Sequence, residues 1–238
     1  SFAQAQIEEA LKDLCLALKA EDWFDLAEPI QKTINVQLPP AARKQYREME
    51  KALFTEISGH AIEAFNSGAK SGKLLQMAAG ACYLGSPDDP GERKWVESHS
   101  AKLDALEEIV EETGGMPILV SYIFKSDLTR LMKRFPKGRH LDQKSQTIKD
   151  WNAGKIPQLF THPASAGHGL NLQAGSNVLA RFSRDWNYET YAQILERIGP
   201  VRQAQSGYKR NVYAYTIEAA DTIDQDVTED MTTKCGVD

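Results

Sequence analysis

This 238-residue sequence predicts an α/β fold, a mostly parallel sheet flanked by helices and preceded by a helical region. Three observations predict it. Helical periodicity dominates up to residue 115. Strand-like and helix-like segments alternate after it. The first of those strands, "PILVSYIF" (117–124), is a continuous apolar run of the kind buried on both faces. Strands separated by helices need crossover connections, which set them parallel in one sheet.

In order along the chain, Ile7, Leu11, Leu14 and Leu18 recur at helical spacing. "TINVQLPP" (33–40) alternates like a short strand and stops at a proline pair. Tyr46, Met49, Leu53 and Ile57 form the stripe of a second helix, and "HAIEAFN" continues in helical character. Ser98 precedes a helix carrying Leu103, Leu106, Ile109 and Val110, which stops at Gly114-Gly115. After the 117–124 strand come a basic helix "KSDLTRLMKRF", a helix "TIKDWNAG", a strand "KIPQLFTHP" and a strand "SNVLARFS". A helix "YETYAQILERI", a strand "NVYAYTI" and a helix opening at "DTIDQDV" complete the series. In parallel sheets the working loops lie at the carboxyl ends of strands, here 121–127, 161–173, 183–188 and 199–205.

The net charge of −5 gives no overall field that would draw nucleic acid, so such a contact needs a local basic patch. Cys15, Cys82 and Cys235 form no Cys-x-x-Cys element, and the five histidines lack metal-ligand spacing, so no metal site is expected. No apolar run approaches the ~20 residues of a membrane span, and "SFAQAQIEEA" has no signal-peptide layout. The expected setting is cytoplasmic, with no membrane partner.

"SGAKSGKLLQ" (67–76) invites comparison with a phosphate-binding loop. That loop reads G-x-x-x-x-G-K-[ST] and sits between a strand and a helix. Counting back from Gly72-Lys73, Ser67 stands where glycine is needed, and Leu74 stands where a magnesium-binding hydroxyl is needed. A turn between helices is the expectation. The acidic stretch "LEEIVEET" (106–113) reads as a solvated helix face rather than a magnesium motif.

Two later segments carry more. "THPASAGHGLNLQ" (161–173) follows a strand, and its small residues let a backbone approach a phosphate or another chain. In "WNYETYAQILERIGPVRQ" (186–203), Gln193 and Arg197 share a helix face, Gly199-Pro200 breaks the helix, and Arg202 arrives on a loop beyond it. Two arginines at a helix end and its exit suit an anion such as phosphate. Surface ion pairs are the ordinary alternative.

In sequence order, "SAGHGLNLQ", "WNYETYAQ", "QILERIGPVRQ" and "VYAYTIEAADTID" resemble the carboxyl-terminal RecA-like lobe of Swi/Snf-type DNA translocases of helicase superfamily two, in the style of compact phage and bacterial members. "PILVSYIFKSDLTRL" resembles motif IV of that family, and "INVQLPPAARKQYREMEKAL" its stretch at the end of the first lobe. "GKLLQMAAGACY" and "SAKLDALEEIVEE" resemble its helical insert and the lead-in to lobe two. The resemblance implies residues 1–40 as a tail of the first lobe or a linker, 41–115 as a helical insert, and 116–238 as the second RecA-like domain.

It also implies half of a composite ATP site, whose phosphate loop and Mg²⁺ carboxylates belong to a missing first lobe. Gln193 and Arg197 match motif VI, with Arg202 or Arg197 as the arginine finger. Gly167, Gly169 and Asn171 match motif V, which would couple nucleotide to DNA. Thr161, His162, Ser121 and Lys125 would track the backbone of double-stranded DNA. The family spaces its motif VI arginines as R-x-x-R, whereas here Pro200 takes the second place and Arg202 precedes Gln203. Ser183 replaces a common aspartate before the Trp-Asn pair, with Asp185 as a substitute. Trp186 is expected in packing, and His162 and His168 as polar loop residues. The run Lys125, Arg130, Lys133, Arg134, Lys137, Arg139 reads either as a solvated face or as a DNA patch. By this reading the chain alone neither binds ATP tightly nor hydrolyses it. The alternatives are a non-catalytic DNA-binding or protein-interaction module on the same fold, and an unrelated α/β nucleotide-binding enzyme.

Overall fold

A computed structural model describes residues 26–85, 93–142, 144–166 and 169–235. The expected helix over Ile7–Leu18 lies outside them. Six strands form one sheet, parallel at every pairing, in the order β1 (Ile30–Val36), β10 (Tyr213–Ala219), β9 (Val178–Arg181), β6 (Ile118–Ser121), β8 (Gln158–Thr161), β7 (Arg139–His140). The α/β class and the parallel sheet expected from sequence are therefore present. β1 lies a few residues before the expected span and pairs along its whole length with β10, Ile30 opposite Tyr213 through Val36 opposite Ala219.

Strand side chains alternate between two apolar layers. Ile118, Val120, Val178, Ala180 and Ile217 pack with Leu103, Leu106 and Ile109 of helix α3 (Ala101–Glu112) and Leu131 of α4 (Lys125–Arg134). Leu119, Leu159 and Leu179 point to the other face. There they meet Trp151 of α5 (Ser145–Asn152) and, past the short α6 (Pro163–Ala166), Ile194 of α7 (Tyr188–Glu196) and Ile198 just beyond it. Such two-sided burial is why these strands read as unbroken apolar runs.

The stretch before residue 115 is less helical than its periodicity suggests. Helix α1 (Pro40–Ala52) starts with proline in its first turn, where no amide donor is required, and buries Ala42, Tyr46 and Met49. It ends at Leu53 in the left-handed region (φ 59°), so Leu53 and Ile57 are not part of its stripe. β2 (Phe54–Ile57) and β3 (His60–Glu63) form an antiparallel hairpin where sequence predicts continued helix. Only Thr55, Ile57 and Ile62 point inward, and a stripe that short fits period two as well as 3.6.

Residues 67–76 are not a turn either. They open helix α2 (Ser67–Ala79), whose N-cap Asn66 accepts a hydrogen bond from Ala69 N at 2.8 Å. Lys73, the residue that invited the phosphate-loop comparison, is buried and donates to the Tyr83 carbonyl at 2.5 Å. α2 stops at Gly80 (φ 105°), where an added Cβ would lie 2.4 Å from the His99 carbonyl oxygen. The chain then runs through β4 (Ala81–Tyr83), paired antiparallel with β5 (Trp95–Glu97). Helix α9 (Ile223–Cys235) closes the described chain. Among the described residues no helix is long and apolar enough to cross a membrane.

Candidate functional site

Two of the residues matched to motifs V and VI, Asn171 and Arg202, meet at α8 (Pro200–Gln205), a short helix that begins at Pro200. Arg202 therefore sits on a helix and not on the expected loop, because proline that breaks α7 is well suited to the first turn of the next helix. Arg202 Nη1 donates to Asn171 Oδ1 at 3.1 Å.

Neighbouring side chains fix both partners. Trp151, fully buried, donates from Nε1 to the Leu172 carbonyl at 2.9 Å. Asn152 donates to the Asn171 carbonyl at 2.9 Å and accepts from Gly175 N at 3.2 Å. Gln203, 1% exposed, places Nε2 2.9 Å from the carbonyls of Ser176 and Ile198 and takes a bond from Arg210 Nε at 2.9 Å. Side-chain hydrogen bonds thus tie the 171–176 loop to α8. Gly169 is exposed with φ 66°, a conformation that glycine takes without steric cost. Gly167 and His168 lie outside the described residues. Gln193 stands 3.5 Å from Glu189, one turn earlier on α7. Arg197, at the end of α7, is 9% exposed.

Arg202 also lines a cavity of about 750 Å³ between α7, α8 and the β1–β10–β9 face of the sheet. Its floor holds two arginines that sequence reasoning passed over, Arg181 and Arg184, 5% and 2% exposed. A charged residue inside the apolar strand "SNVLARFS" was the available signal. The Arg181 guanidinium lies over the Tyr191 ring at 4.4 Å. Burial, then the adjacent Arg184, pull Arg181 down to about 10.

The residues matched to DNA contact cluster at the carboxyl ends of β6 and β8, where Ser121 is opposite Thr161. Both are buried, at 1% and 0% exposure. His162 is half-buried with its ring 6.0 Å from that of Tyr122, whose hydroxyl is 3.1 Å from His140 Nε2. Lys125 is exposed at the start of α4. The basic run divides by residue type. Arg130 is buried against Glu97 and the Ala79 and His99 carbonyls, Arg134 pairs with Asp104 and Glu107, and Arg139 pairs with Asp150. Lys125, Lys133 and Lys137 remain exposed. Trp186, expected in packing, is 43% exposed.

Ser183 has a definite partner: it donates to Asp127 Oδ2 at 2.6 Å and accepts from Ile123 N at 2.9 Å. Burial pushes Asp127 up to about 6 against the Ser183 and Phe124 hydrogen bonds that lower it. His99 shows the reverse case. Its Nε2 lies 2.8 Å from the Met77 carbonyl, and burial pulls it down to about 4.

The two groups bias stability oppositely. The folded chain holds the Asp127 proton more tightly than the unfolded chain does. That contribution is present below the ordinary carboxylate value of 3.8 and is lost as pH rises through about 6. Folding resists protonating His99, so stability climbs as pH rises from about 4 to 6.5. Each effect is of order 3 kcal/mol. Urea unfolding across this range is therefore expected to show near-cancellation in the native chain. Asp127→Asn should give stability that rises with pH, and His99→Gln stability that falls; unchanged slopes in both variants would refute the assignment.

Among the described residues no group of three or more His, Cys, Asp and Glu is placed to hold a metal ion. Lys73 is engaged by the Tyr83 backbone carbonyl.

The fold is that of a RecA-like α/β lobe. The crystal structure of the C-terminal part of the Fun30 ATPase domain superposes with a TM-score of 0.56 over 86% of this chain and 89% of that one, at 14% identity. Protein p41 of Acyrthosiphon pisum secondary endosymbiont phage 1 is 55% identical over 233 residues, 98% of this chain. The chain spans 50% of the length of that relative. No protein-family model matches the sequence.

Proposed function

We propose that this chain is the second motor lobe of an ATP-dependent double-stranded DNA translocase or helicase. It supplies motif V and motif VI residues to an ATP site shared with a first lobe and contacts the DNA backbone. One observation carries the reading: Arg202 is bonded to Asn171 across 31 residues, so the segments resembling motifs VI and V are physically joined. The similarity to an ATPase-domain lobe supports it. ATP is the substrate of the two-lobe protein, and Mg²⁺ is held by carboxylates of the other lobe. Here the lobe's part is electrostatic, an arginine directed at charge that develops on the transferred phosphoryl group.

Two measurements on the purified chain test this. ATP turnover should be absent, and sustained hydrolysis by these 238 residues alone would refute the division of labour. Binding to duplex DNA should weaken as salt rises, and Lys125→Ala should reduce the log–log salt slope by about 1 without changing sequence preference. An unchanged slope removes Lys125 from the interface.

The second reading is a non-catalytic DNA-binding or protein-interaction module. It is favoured by the burial of Ser121, Thr161 and Arg197, which withdraws three motif-matched side chains from direct contact. ATP turnover by the two-lobe protein that is indifferent to Arg202 would favour it.

A further inference from the structure

The carboxyl ends of β6, β8 and β7 carry three rings, of which the DNA reading uses only His162. β8 lies between the other two strands. Tyr122, one residue beyond β6, reaches across the end of β8 to both neighbours. Its ring meets that of His162 edge-on at 6.0 Å, and its hydroxyl lies 3.1 Å from His140 Nε2. Both imidazoles are half-buried and keep part of their surface in solvent, at the end of a parallel sheet where ligands bind. Their nitrogens are committed differently. His162 Nδ1 accepts from Ala164 N at 3.3 Å, which places the proton of the neutral ring on Nε2; a second proton would forfeit that bond. His140 Nε2 accepts from Tyr122 when the ring is neutral and donates to Tyr122 Oη when it is protonated. Its bond therefore survives a change of charge, and the phenolic hydrogen is then free for another acceptor.

Among the described residues no carboxylate bonds to either imidazole, so a cation at His140 has no internal counter-charge. The acids on the surrounding elements are engaged elsewhere. On α4, Asp127 is buried against Ser183 and Phe124 N, Arg130 meets Glu97, and Arg134 meets Asp104 and Glu107. Beside His140, Arg139 pairs with Asp150, and Asp142 Oδ2 lies 3.4 Å from Lys144 Nζ. Lys125 opens α4 at this end of the sheet and is exposed, while Lys133 and Lys137, also exposed, lie towards its other end. We infer that Tyr122, His140 and His162 form a contact for the DNA backbone in which His162 donates as a neutral ring and His140 joins as a cation, so that the lobe takes up a proton as it binds duplex. The inference rests on the DNA contact of the motor-lobe reading and adds its dependence on pH. Histidine is the side chain that changes charge between about pH 5 and 8, and a phosphate supplies the counter-charge that the lobe itself does not.

Calorimetric titration of the full 238-residue chain with a mixed-sequence DNA duplex, in two buffers of different ionisation heat, counts the protons taken up. Near pH 7 the native chain should take up a net fraction of a proton per complex. The log–log salt slope should be steeper at pH 6 than at pH 8 by about 1, the value for one added cation. Asp127, pushed up to about 6 by burial, also titrates in this range, so variants must separate the two. His140→Gln should abolish both the uptake and the change in slope. His162→Gln should weaken binding about threefold or more at every pH and leave the pH dependence in place, because its ring acts as a neutral donor. His60→Gln, on the β2–β3 hairpin, should change neither. A slope and proton count indifferent to pH in the native chain overturn this inference alone, and need no variant to fold. Uptake that persists undiminished in His140→Gln overturns it as well. Absence of duplex binding at every pH sinks the motor-lobe contact itself and this inference with it.

Discussion

Replacing Arg202 by alanine is expected to lower ATP turnover by about three orders of magnitude in a protein that joins this lobe to a phosphate-binding partner lobe. Affinity for duplex DNA should stay within about twofold, since Arg202 lies with the cavity and not at the carboxyl ends of β6 and β8. The expectation follows from placement. Arg202 is fixed by α8 and by Asn171, so its charge needs little reorganisation to meet a phosphoryl group. Arg202→Lys should recover only a small part of the rate, because an ammonium cannot reproduce the bidentate fork. Asn171→Ala should lower turnover less, by about tenfold, because it removes a positioning contact and leaves the charge. Arg197 separates the two candidate fingers. At 9% exposure it is buried in this lobe, and Arg197→Ala should lower the unfolding midpoint as well as any rate. If turnover survives Arg202→Ala and collapses in Arg197→Ala without loss of stability, the finger is Arg197.

The other large effect concerns the buried charges beneath the same sheet end. Lys102→Met is expected to destabilise the chain by about 3–5 kcal/mol, read as a drop in the urea midpoint, because it strands a buried carboxylate. Lys102 Nζ meets Asp224 Oδ2 at 2.5 Å, with both side chains within 2% exposure. The partners respond differently to burial. Desolvation pulls Lys102 down, only partly opposed by Asp224 and reinforced by Arg184. Desolvation raises Asp224, but Lys102, Arg184 and the Ala219 amide together outweigh it and hold the carboxyl below its ordinary value. The acid is the better supported member of the pair in its charged form. Asp224→Asn combined with Lys102→Met should recover part of the loss, because the amide oxygen still accepts from Ala219 N and no charge is left stranded. If the single and double variants are equally unstable, the cost is packing and not charge.

Much of this architecture was legible in local pattern. The apolar runs at 118–121 and 178–181, the stripe Leu103–Leu106–Ile109, and the proline and glycine stops all work through neighbours in the chain, and they appear where expected. The same reasoning failed between Leu53 and Asn66, where a four-residue hairpin strand offers too few positions to separate strand from helix. It also failed at 67–76, where Asn66 caps a helix through Ala69 N and Lys73 is held in the interior by the Tyr83 carbonyl.

For the site, the residue types pointed to an anion, and folding brings Asn171 and Arg202 within a hydrogen bond of each other. Local pattern was enough for the α/β class, a mostly parallel sheet, and a concentration of arginine near the exit of α7. These follow from periodicity and steric stops acting over a few residues. Which cations face a cavity, which are consumed in internal pairs, and the order of the strands depend on long-range packing. Lys102 finds Asp224 across 122 positions, and Arg43 reaches the Asp221 carbonyl across 178. Such pairings depend on how the sheet brings distant segments to one end, and burial there sets the energy of each charge; local spacing carries neither.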